Sequence, residues 1–238
     1  MKFENTEVWG FEHALRGMRN PKNSWNKSDS YYEYDNQKDC IPKDANYIIG
    51  KNDMKLAQTL IKAGSEHRKF MRQILVSVDI TAPLYWWKEF DTYKVGTVAN
   101  STSTMHKITS EPITLDCFET DDLNDGDMTT GNYECLKFIY NQIIESCENL
   151  RKKYLETKDK RYWKELIRWL PESWLQKRTV TMTYENLLAM CSKGQRRFHK
   201  LNEWSGQDNS NVPNFISWTR TLPYAQELIF IDEITDKN

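Results

Sequence analysis

Residues 74–90 read ILVSVDITAPLYWWKEF, and the two halves of this stretch predict the two kinds of element from which the fold is built. In the first half, apolar side chains alternate with polar ones at Val76, Val78 and Ile80. An alternation with a period of two is typical of a half-buried strand, which we expect over 75–81. Pro83 closes this strand because proline has no backbone N–H to donate to a sheet. A helix rich in aromatic residues is predicted to follow, over 84–94.

The other helices and strands are predicted from the same kind of periodicity. The clearest is a helix over 133–154, where apolar residues recur every three or four positions. Shorter helices are expected over 54–63, 159–169, 183–192 and 222–230. The first of these is expected to be capped by Asn52 or Asp53 and the last to open at Pro223. Further strand signal is confined to 2–9 and 114–118, so the residues predict an α+β protein with more helix than strand.

The composition is that of a globular protein of one large domain or two small ones, and we treat residues 1–238 as a single domain. Of the 238 residues, 39% are hydrophobic and 13% are aromatic, which excludes a disordered chain. The formal net charge of −1 argues against a nucleic-acid-binding protein. No apolar run approaches a membrane span, and MKFENTEVWG lacks a signal-peptide core, so we expect no membrane partner.

The cysteines and histidines predict neither a disulfide scaffold nor a metal site. Five cysteines are spread along the chain without a C-x-x-C pair, which favours a reduced, cytoplasmic setting. The four histidines lack H-x-x-x-H spacing, so we expect no bound metal. The sequence also contains no G-x-G-x-x-G, P-loop or G-x-S-x-G motif, which leaves the common phosphate-binding and nucleophile motifs out of consideration.

Five segments far apart in the sequence each combine arginine or lysine with a turn or a helix end. They are 16–25, 65–73, 92–106, 168–178 and 193–200. Guanidinium groups match the geometry of phosphate and carboxylate oxygens, so the segments could form a pocket for a phosphorylated ligand. Each could also be a solvated surface, because exposed charge is common. Two polar stretches carry no functional pattern: 20–47 is expected to be an ordered loop and 119–131 a solvated acidic loop.

The order of these segments resembles that of the flavin-dependent thymidylate synthase family. The family signature is Arg-His-Arg-x-x-Ser-x-Asn-x-x-Ser-x-Arg-Tyr, and YKVGTVANSTSTMH at 93–106 has the same spacing. Asn100 and Ser103 match the Asn and the second Ser of the signature. The charged positions differ, because Lys94 is the single cation among the first three and Met105 replaces the last arginine.

Other segments between about residues 10 and 230 are similar in order and spacing. HRKFMR at 67–72 lies where the family has His-x-x-Pro-Phe-Glu-His before a strand, and LRGMRNPKNS is similar to its Ala-Arg-x-Ser segment through Arg19. Beyond Leu170-Pro171 the family order is followed by Arg178, Asn186 and Arg197. Lys177 and Arg196 fit that spacing as well as their neighbours do. AQELI at 225–229 resembles the family's Ala-Gln-x-Glu-Ile helix.

The resemblance implies a fold, a reaction and a set of ligands. The implied fold is α+β, a small twisted antiparallel sheet flanked by long helices, assembled as a homotetramer. The implied reaction is reductive methylation of dUMP to dTMP, with carbon from methylenetetrahydrofolate and a hydride from FAD that NADPH reduces. It needs no cysteine nucleophile. The missing arginines leave two alternatives: a diverged relative acting on another pyrimidine nucleotide, and a non-catalytic nucleotide-binding protein.

The resemblance also implies roles for individual residues. The catalytic residues would be Ser103 and His67. The residues implied to bind FAD or folate are Tyr93, Lys94, Asn100 and Arg68. The residues implied to bind the nucleotide are Arg178, Arg197, Asn186 and Arg19. Candidates to replace the lost charge are Arg68, Lys69, Arg72 and Lys107. Trp86 and Trp87 are expected to lie in the core rather than to stack on a ligand ring.

Overall fold

The computed structural model describes residues 1–33, 46–93, 95–120, 133–193, 196–208 and 212–235. The chain divides into two compact units, each assembled from several segments. Unit 1 consists of Met1–Phe3, Asp79–Thr92 and Ala99–Thr179. Unit 2 consists of Glu4–Val78, Tyr93–Val98 and Val180–Asn238. The expectation of one domain over the whole chain stays a prediction.

The described strands form a four-stranded sheet and a short hairpin. They are β1 (Lys2–Trp9), β2 (Tyr31–Glu33), β3 (Asn46–Ile48), β4 (Leu75–Pro83), β5 (Val98–Ser101) and β6 (Leu175–Thr183). The larger sheet has the order β1-β4-β6-β5, and β2 pairs with β3 in antiparallel register. The side chain of Thr179 donates a hydrogen bond to Asp79 over 2.6 Å and that of Thr181 to Ser77 over 3.5 Å, which fits antiparallel β4 and β6. The small antiparallel sheet of the expected fold is therefore confirmed.

Helices supply most of the regular structure. They are α1 (Phe11–Arg19), α2 (Lys51–Lys62), α3 (Leu84–Phe90), α4 (Thr104–Lys107), α5 (Tyr133–Thr157), α6 (Lys160–Trp169), α7 (Tyr184–Met190), α8 (Asn202–Ser205), α9 (Phe215–Arg220), α10 (Ala225–Leu228) and α11 (Ile231–Thr235). Among the described residues, no helix combines the length and the apolar character needed to cross a membrane.

The elements with the strongest periodicity lie where the sequence predicts them. The strand after residue 74 is β4, whose alternate side chains from Val76 to Ala82 are buried. It leads through Pro83 directly into α3, as predicted, but α3 ends at Phe90 and a 3-10 turn at Asp91–Tyr93 replaces the rest of the predicted helix. Trp86 and Trp87 are 0% and 1% exposed, so the interpretation of both as core residues is confirmed. The helices predicted over 133–154, 159–169 and 183–192 correspond to α5, α6 and α7.

Two predictions of local structure are wrong, because turn geometry replaces the expected element. The strand predicted over 114–118 is a 3-10 turn at Leu115–Cys117, in which the backbone N–H groups of Cys117 and Phe118 bond within the turn. Those donors are then lost to a sheet. The helix predicted over 222–230 is shortened to α10, because Tyr224 has a left-handed φ of 55° immediately before it.

The predicted cap of α2 is also wrong, and the actual one comes from a distant residue. The helix begins at Lys51, so Asn52 and Asp53 lie inside its first turn. Their backbone N–H groups donate to the carboxylate of Asp29 over 2.9 and 3.1 Å. A carboxylate at this position satisfies helix N–H groups that have no partner within the helix. The sequence pattern did not predict it because Asp29 precedes the helix by more than twenty residues.

Several elements were not predicted: α1, α4, α8, α9, α11, β2, β3, β5 and β6. Strand β6 has buried Val180 and Met182 in alternation, but the polar residues Gln176–Thr179 precede them and hide the period. Of the polar stretch 20–47, the structure shows 3-10 turns at Asn20–Lys22 and Trp25–Lys27 and the strands β2 and β3. Residues 34–45 of this stretch and 121–131 of the acidic stretch lie outside the described residues.

One hydrophobic cluster of unit 1 forms where α5 and α6 pack on the segment between α4 and α5. Its buried members are Ile108, Ile113, Phe118, Ile144, Cys147 and Leu166. The carboxylate of Glu148 accepts hydrogen bonds from the backbone of Ile113 and from the guanidinium of Arg151. Arg151 also donates to the carbonyl oxygen of Thr109 over 3.2 Å. These bonds fix the chain that leaves α4 against α5.

The interior of unit 2 contains a buried ion pair that joins α1 to α2. The guanidinium of Arg19 donates to the carboxylate of Asp53 over 2.6 Å, and the two side chains are 4% and 0% exposed. The same carboxylate accepts hydrogen bonds from the hydroxyls of Ser28 and Ser30. Burial by itself would raise the pKa of Asp53, but the bonds from Ser28, Ser30 and Arg19 outweigh it and lower the pKa. Asp53 is therefore a fully satisfied buried anion.

Removal of the Asp53 carboxylate is expected to destabilise the protein severely. The substitution Asp53→Ala would leave the Arg19 charge buried without a partner, which costs about 3–5 kcal/mol. Urea unfolding of both proteins measures this loss. Glu66→Ala is the control, since the Glu66 side chain is 81% exposed and its loss should change stability by less than about 1 kcal/mol. A loss below about 1 kcal/mol for Asp53→Ala would contradict the role of the pair.

Candidate functional site

The segment that matches the signature spacing is regular rather than an open loop. Asn100 lies exposed on β5, and Ser103 forms the N-cap of α4. The Ser103 hydroxyl oxygen accepts a hydrogen bond from the backbone N–H of His106 over 3.2 Å. Lys94, the predicted flavin-binding cation, lies outside the described residues. The polar residues of this segment are therefore mounted on a strand edge and a helix end.

Arg178 is held in place by three contacts within unit 1. Its guanidinium lies over the ring of Trp87, 4.2 Å from the centroid. It donates hydrogen bonds to Asp91 over 3.0 Å and to the side chain of Gln176 over 2.9 Å. Burial lowers the pKa of Arg178 below its ordinary value, and Asp91 opposes this effect. The guanidinium stays charged at neutral pH, so Arg178 is a fixed cation.

Gln176 connects Arg178 to the segment that carries Ser103. Its side-chain oxygen accepts the bond from Arg178, and its side-chain nitrogen donates to the carbonyl oxygen of Thr102 over 2.9 Å and to the hydroxyl of Thr104 over 3.3 Å. Gln176 is buried, at 9% exposure. No local pattern predicted a role for Gln176. The one available signal was a glutamine four positions before Val180, where the alternation of β6 begins, and Thr102 and Thr104 are about seventy residues away.

Asn186 fixes the turn that precedes β5. Its side chain and that of Thr183 cap the start of α7 reciprocally. The side-chain nitrogen of Asn186 donates to the carbonyl oxygen of Val95 over 2.6 Å. Gly96 follows with φ +80°, and a Cβ atom there would lie 3.4 Å from the side-chain oxygen of Asn186. Glycine is required at this position because the φ is unfavourable for other residues.

Arg68 and Arg72, two candidates to replace the lost charge, share one carboxylate. Both donate to Glu185, which adjoins Asn186 on α7. The bond to Glu185 raises the pKa of Arg72. In the described residues, these guanidinium groups are therefore partly neutralised by an acidic partner. Lys69 has only a long contact of 3.7 Å with Glu66.

Arg196 and Arg197 are neighbours in sequence with different environments. Arg197 is 7% exposed and donates to Asp232 over 2.8 Å, to Glu233 over 3.1 Å and to the carbonyl oxygen of Cys191 over 2.9 Å. Arg196 is exposed, and its guanidinium lies 5.1 Å from the centroid of the Tyr93 ring. Among the described residues, it donates one hydrogen bond, to the carbonyl oxygen of Ala189. The ligand-binding role of Arg197 stays a prediction, and the geometry favours Arg196 for it.

Arg19 and His67 line the same groove of unit 2. The groove has a volume of about 1240 Å³. Arg19 uses its donors internally, on Asp53 and on the carbonyl oxygens of Ser24 and Lys27. His67 is exposed on the rim. A direct contact of Arg19 with a nucleotide stays a prediction. In the structure, Arg19 holds the backbone of Ser24 and Lys27 in the wall of the groove.

The structure thus groups the predicted site residues in three places. In unit 1, Arg178 is linked through Gln176 to the residues on either side of Ser103. In unit 2, Arg68 donates a hydrogen bond to Glu185 at the start of α7. The next residue, Asn186, donates to the carbonyl oxygen of Val95. Arg19 and His67 line the groove. The two predicted catalytic residues, Ser103 and His67, belong to different units.

Comparison with solved structures finds this fold in the flavin-dependent thymidylate synthase of Helicobacter pylori. A crystal structure of that enzyme complexed with FAD and dUMP aligns with a TM-score of 0.61 and 15% sequence identity, over 98% of this chain and 99% of the other. A second crystal structure of the enzyme with FAD and dUMP gives a TM-score of 0.61 and 14% identity, over 98% of both chains. No protein-family model and no curated protein matches the sequence. The chain has the α+β fold of these flavin-dependent thymidylate synthase structures, at 14–15% sequence identity.

The ion pairs around Glu233 predict a pH dependence of stability. The hydrogen bond from Arg220 lowers the pKa of Glu233 to about 2, from an ordinary value of 4.5. A carboxyl group with a lowered pKa stabilises the fold above its ordinary pKa, and this stabilisation is lost as the pH falls towards the folded value. Glu233→Gln should therefore flatten the loss of stability on acidification. Thermal unfolding between the ordinary pKa of 4.5 and the folded value of about 2 measures the effect. A variant whose unfolding temperature falls with pH as steeply as that of the wild type would contradict it.

Proposed function

We propose that the protein is a flavin-dependent enzyme that reductively methylates dUMP to dTMP. The observation that carries the proposal is the fold, which matches that of an enzyme crystallised with FAD and dUMP over nearly the full length of both chains. Asn100 and Ser103, at signature spacing, add support. Methylenetetrahydrofolate as carbon donor, NADPH as reductant, a homotetramer and a cytoplasmic location belong to the same proposal.

The described residues offer groups that suit a flavin. Tyr93 contributes a partly exposed aromatic ring beside the Arg196 guanidinium. Since Arg196 donates one hydrogen bond to Ala189, its other donors can bind phosphate oxygens. In unit 1, Asn100 presents an exposed side-chain amide on β5. Bound FAD would supply the hydride chemistry, which amino-acid side chains do not provide.

The remaining residues of the proposed site bind and orient the nucleotide. Arg178 supplies a fixed positive charge, because Asp91, Gln176 and the Trp87 ring hold its guanidinium. Ser103 accepts a bond from the His106 backbone, so its hydroxyl proton is free to be donated to a pyrimidine oxygen. Groups held in this way lose little freedom when the substrate binds, which favours productive orientation.

The environment of two buried cysteines, Cys147 and Cys191, suits a reaction without a thiol nucleophile. Burial raises the pKa of Cys147 to about 11 and that of Cys191 to about 12. The thiolate is the nucleophilic form, so a buried thiol with a raised pKa is inert at neutral pH. Neither of these two residues is therefore a candidate to attack the pyrimidine ring.

The altered signature supports a second candidate function, a diverged relative that binds another pyrimidine nucleotide or has lost catalysis. Met105 stands at the last arginine of the signature and is 49% exposed, so it leaves a phosphate-binding position without charge. Among the proposed substitutes, Arg68 and Arg72 both donate to Glu185. If no other cation replaces the signature arginines, the protein should bind a nucleoside monophosphate more weakly.

The two candidate functions differ in a measurable flavin-dependent activity. The purified protein is expected to bind FAD, turn yellow, and oxidise NADPH faster under anaerobic conditions when dUMP is present. Transfer of a labelled methylene carbon to dUMP would identify the product. A protein that stays colourless with added FAD contradicts the enzyme. NADPH oxidation that responds to another pyrimidine nucleotide, and not to dUMP, would favour the diverged relative.

Arg196 is expected to contribute directly to FAD affinity. Removing a charged donor to a phosphate costs about 1.5–3 kcal/mol, so Arg196→Gln should weaken FAD binding by about tenfold or more. Arg161→Gln is the matched control, because the Arg161 side chain on α6 is 90% exposed and should leave FAD affinity unchanged. Fluorescence titration with FAD measures both dissociation constants. An Arg196→Gln protein with wild-type affinity would remove this residue from the site.

A further inference from the structure

A pocket of unit 2 contains none of the residues assigned to the proposed reaction. It lies where the end of β1 and the start of α1 meet β2 and β3, and its volume is about 640 Å³. That volume suits a small organic ligand, since ligand pockets commonly have about 300–1,000 Å³. We call it the aromatic pocket, because its described lining includes the rings of Trp9, Phe11, Tyr32, Tyr47 and Tyr224.

The rings of the aromatic pocket meet edge to face. The centroids of Tyr32 and Tyr47 lie 5.0 Å apart with 67° between the ring planes, and those of Phe11 and Tyr224 lie 5.5 Å apart with 77° between the planes. Rings in this arrangement turn their faces in different directions, as in an aromatic cage. The face of an aromatic ring attracts cations, and aromatic cages bind ammonium groups. Trp9 and Tyr32 are each 42% exposed, so a ligand can reach them.

Glu12 supplies a negative charge beside these rings. It lies in the first turn of α1, and its carboxylate accepts a hydrogen bond from the hydroxyl of Tyr32 over 3.0 Å. Burial raises the pKa of Tyr47, and the charges of Asp53 and Glu12 add to this rise, while a hydrogen bond with Ser30 opposes it. The negative potential of the carboxylates therefore extends over the rings and would stabilise a cation there.

No lysine or arginine belongs to the described lining of the aromatic pocket. The imidazole of His13, which does line it, accepts a hydrogen bond from the guanidinium of Arg16 through Nδ1 over 3.3 Å. By contrast, the described lining of the groove around Arg19 and His67 contains three lysines and one glutamate. The two cavities share no lining residue, and their charges suit ligands of opposite sign.

Tyr224 gives the aromatic pocket a fixed wall. Its φ of 55° lies in the left-handed region, which bulky residues rarely adopt. Its hydroxyl accepts a hydrogen bond from the backbone N–H of Ile49 and donates one to the carbonyl oxygen of Tyr47, each over 3.0 Å. Strained backbone of this kind is concentrated at binding and catalytic sites. A wall that is ordered before binding loses less entropy when a ligand arrives, which favours affinity.

We propose that the aromatic pocket binds an organic cation, an ammonium group attached to a small apolar body. The ammonium group lies against the rings of Trp9, Tyr32 and Tyr47 and pairs with the carboxylate of Glu12. The proposal goes beyond the methylation of a nucleotide, whose proposed ligands all carry negative charge. A primary and a quaternary ammonium share the required chemistry, so the test includes one ligand of each type.

Ligand-observed NMR titration of the intact chain tests the pocket with three probes of similar shape. Phenethylammonium has a primary ammonium group, trimethyl(phenethyl)ammonium has a quaternary one, and phenethyl alcohol is the neutral analogue. Saturable binding is expected for at least one cation, about fivefold or more tighter than for the alcohol, because the rings attract charge. The tighter of the two cations identifies the head group. Failure of both cations to saturate the protein, or equal affinity for the alcohol, would overturn the proposal.

The variant Glu12→Gln locates the binding in the aromatic pocket. The new amide oxygen can still accept the hydrogen bond from Tyr32, so the variant removes the charge and keeps the shape. Affinity for the cations should fall by about fivefold or more, because an attraction between opposite charges is lost. Glu7→Gln is the matched control and should bind normally, since Glu7 is exposed on β1 outside the lining. Equal affinity in the two variants would overturn the proposal.

A second variant, Trp9→Leu, tests the same pocket if Glu12→Gln does not fold. Loss of this ring should weaken cation binding by about threefold or more. Trp25→Leu is its control, because Trp25 is 49% exposed and lies outside the lining. Wild-type affinity in Trp9→Leu would contradict the proposal.

Titration in excess FAD and dUMP separates the aromatic pocket from the proposed active site. The cations should bind with unchanged affinity there, whereas loss of binding would place them in the active site and overturn the proposal. The other titrations need neither FAD nor dUMP. Their result is therefore independent of the proposed function.

Discussion

The carboxylate of Asp53 organises unit 2 because it must be satisfied where it lies. A buried charge without partners costs several kcal/mol, so its neighbours are arranged to donate to it. Arg19, at the end of α1, donates to this carboxylate, and so do the hydroxyls of Ser28 and Ser30 in the segment that follows. Arg19 then uses its remaining donors on the carbonyl oxygens of Ser24 and Lys27. The ion pair therefore shapes the wall of the groove as well as the interior.

The predicted ligand-binding side chains owe their positions to the same kind of constraint. Arg178 is fixed by an acid, an amide and an aromatic ring, and Asn186 is fixed by its capping bonds to Thr183. Each retains part of its surface or of its bonding capacity for a ligand. Such fixed groups suit nucleotide chemistry, in which the protein orients the substrate and a cofactor carries the redox step. At the spacing of the signature, the chain has the Asn100 and Ser103 hydrogen-bonding groups, while Met105 stands at the position of the last arginine.

Charge near the signature segment comes from Arg196, which lies one position before the expected Arg197. Arg196 reaches the ring of Tyr93, whereas Arg197 turns inward to Asp232 and Glu233. The inward arginine ties α11 to the residues after α7, and the outward arginine remains available to an anion. A single step along the chain thus separates a structural arginine from a candidate ligand-binding one. The spacing of a motif does not distinguish them.

The sequence by itself determined the elements in which the spacing of apolar side chains shows which face is buried. Alternation predicted β4, and the three-to-four-residue repeat predicted α5, because the periods of strand and helix are local properties. The order and spacing of the motifs also predicted the fold, which the alignment with solved structures confirms. Only the tertiary structure decided which charges are buried and which are free. Asp53 meets Arg19 across 34 positions and Gln176 meets Thr102 across 74, and no local pattern encodes such partners. Pairing between distant residues depends on the packed fold. The partners and the exposure of Arg19, Arg196 and Gln176 are therefore determined by the tertiary structure.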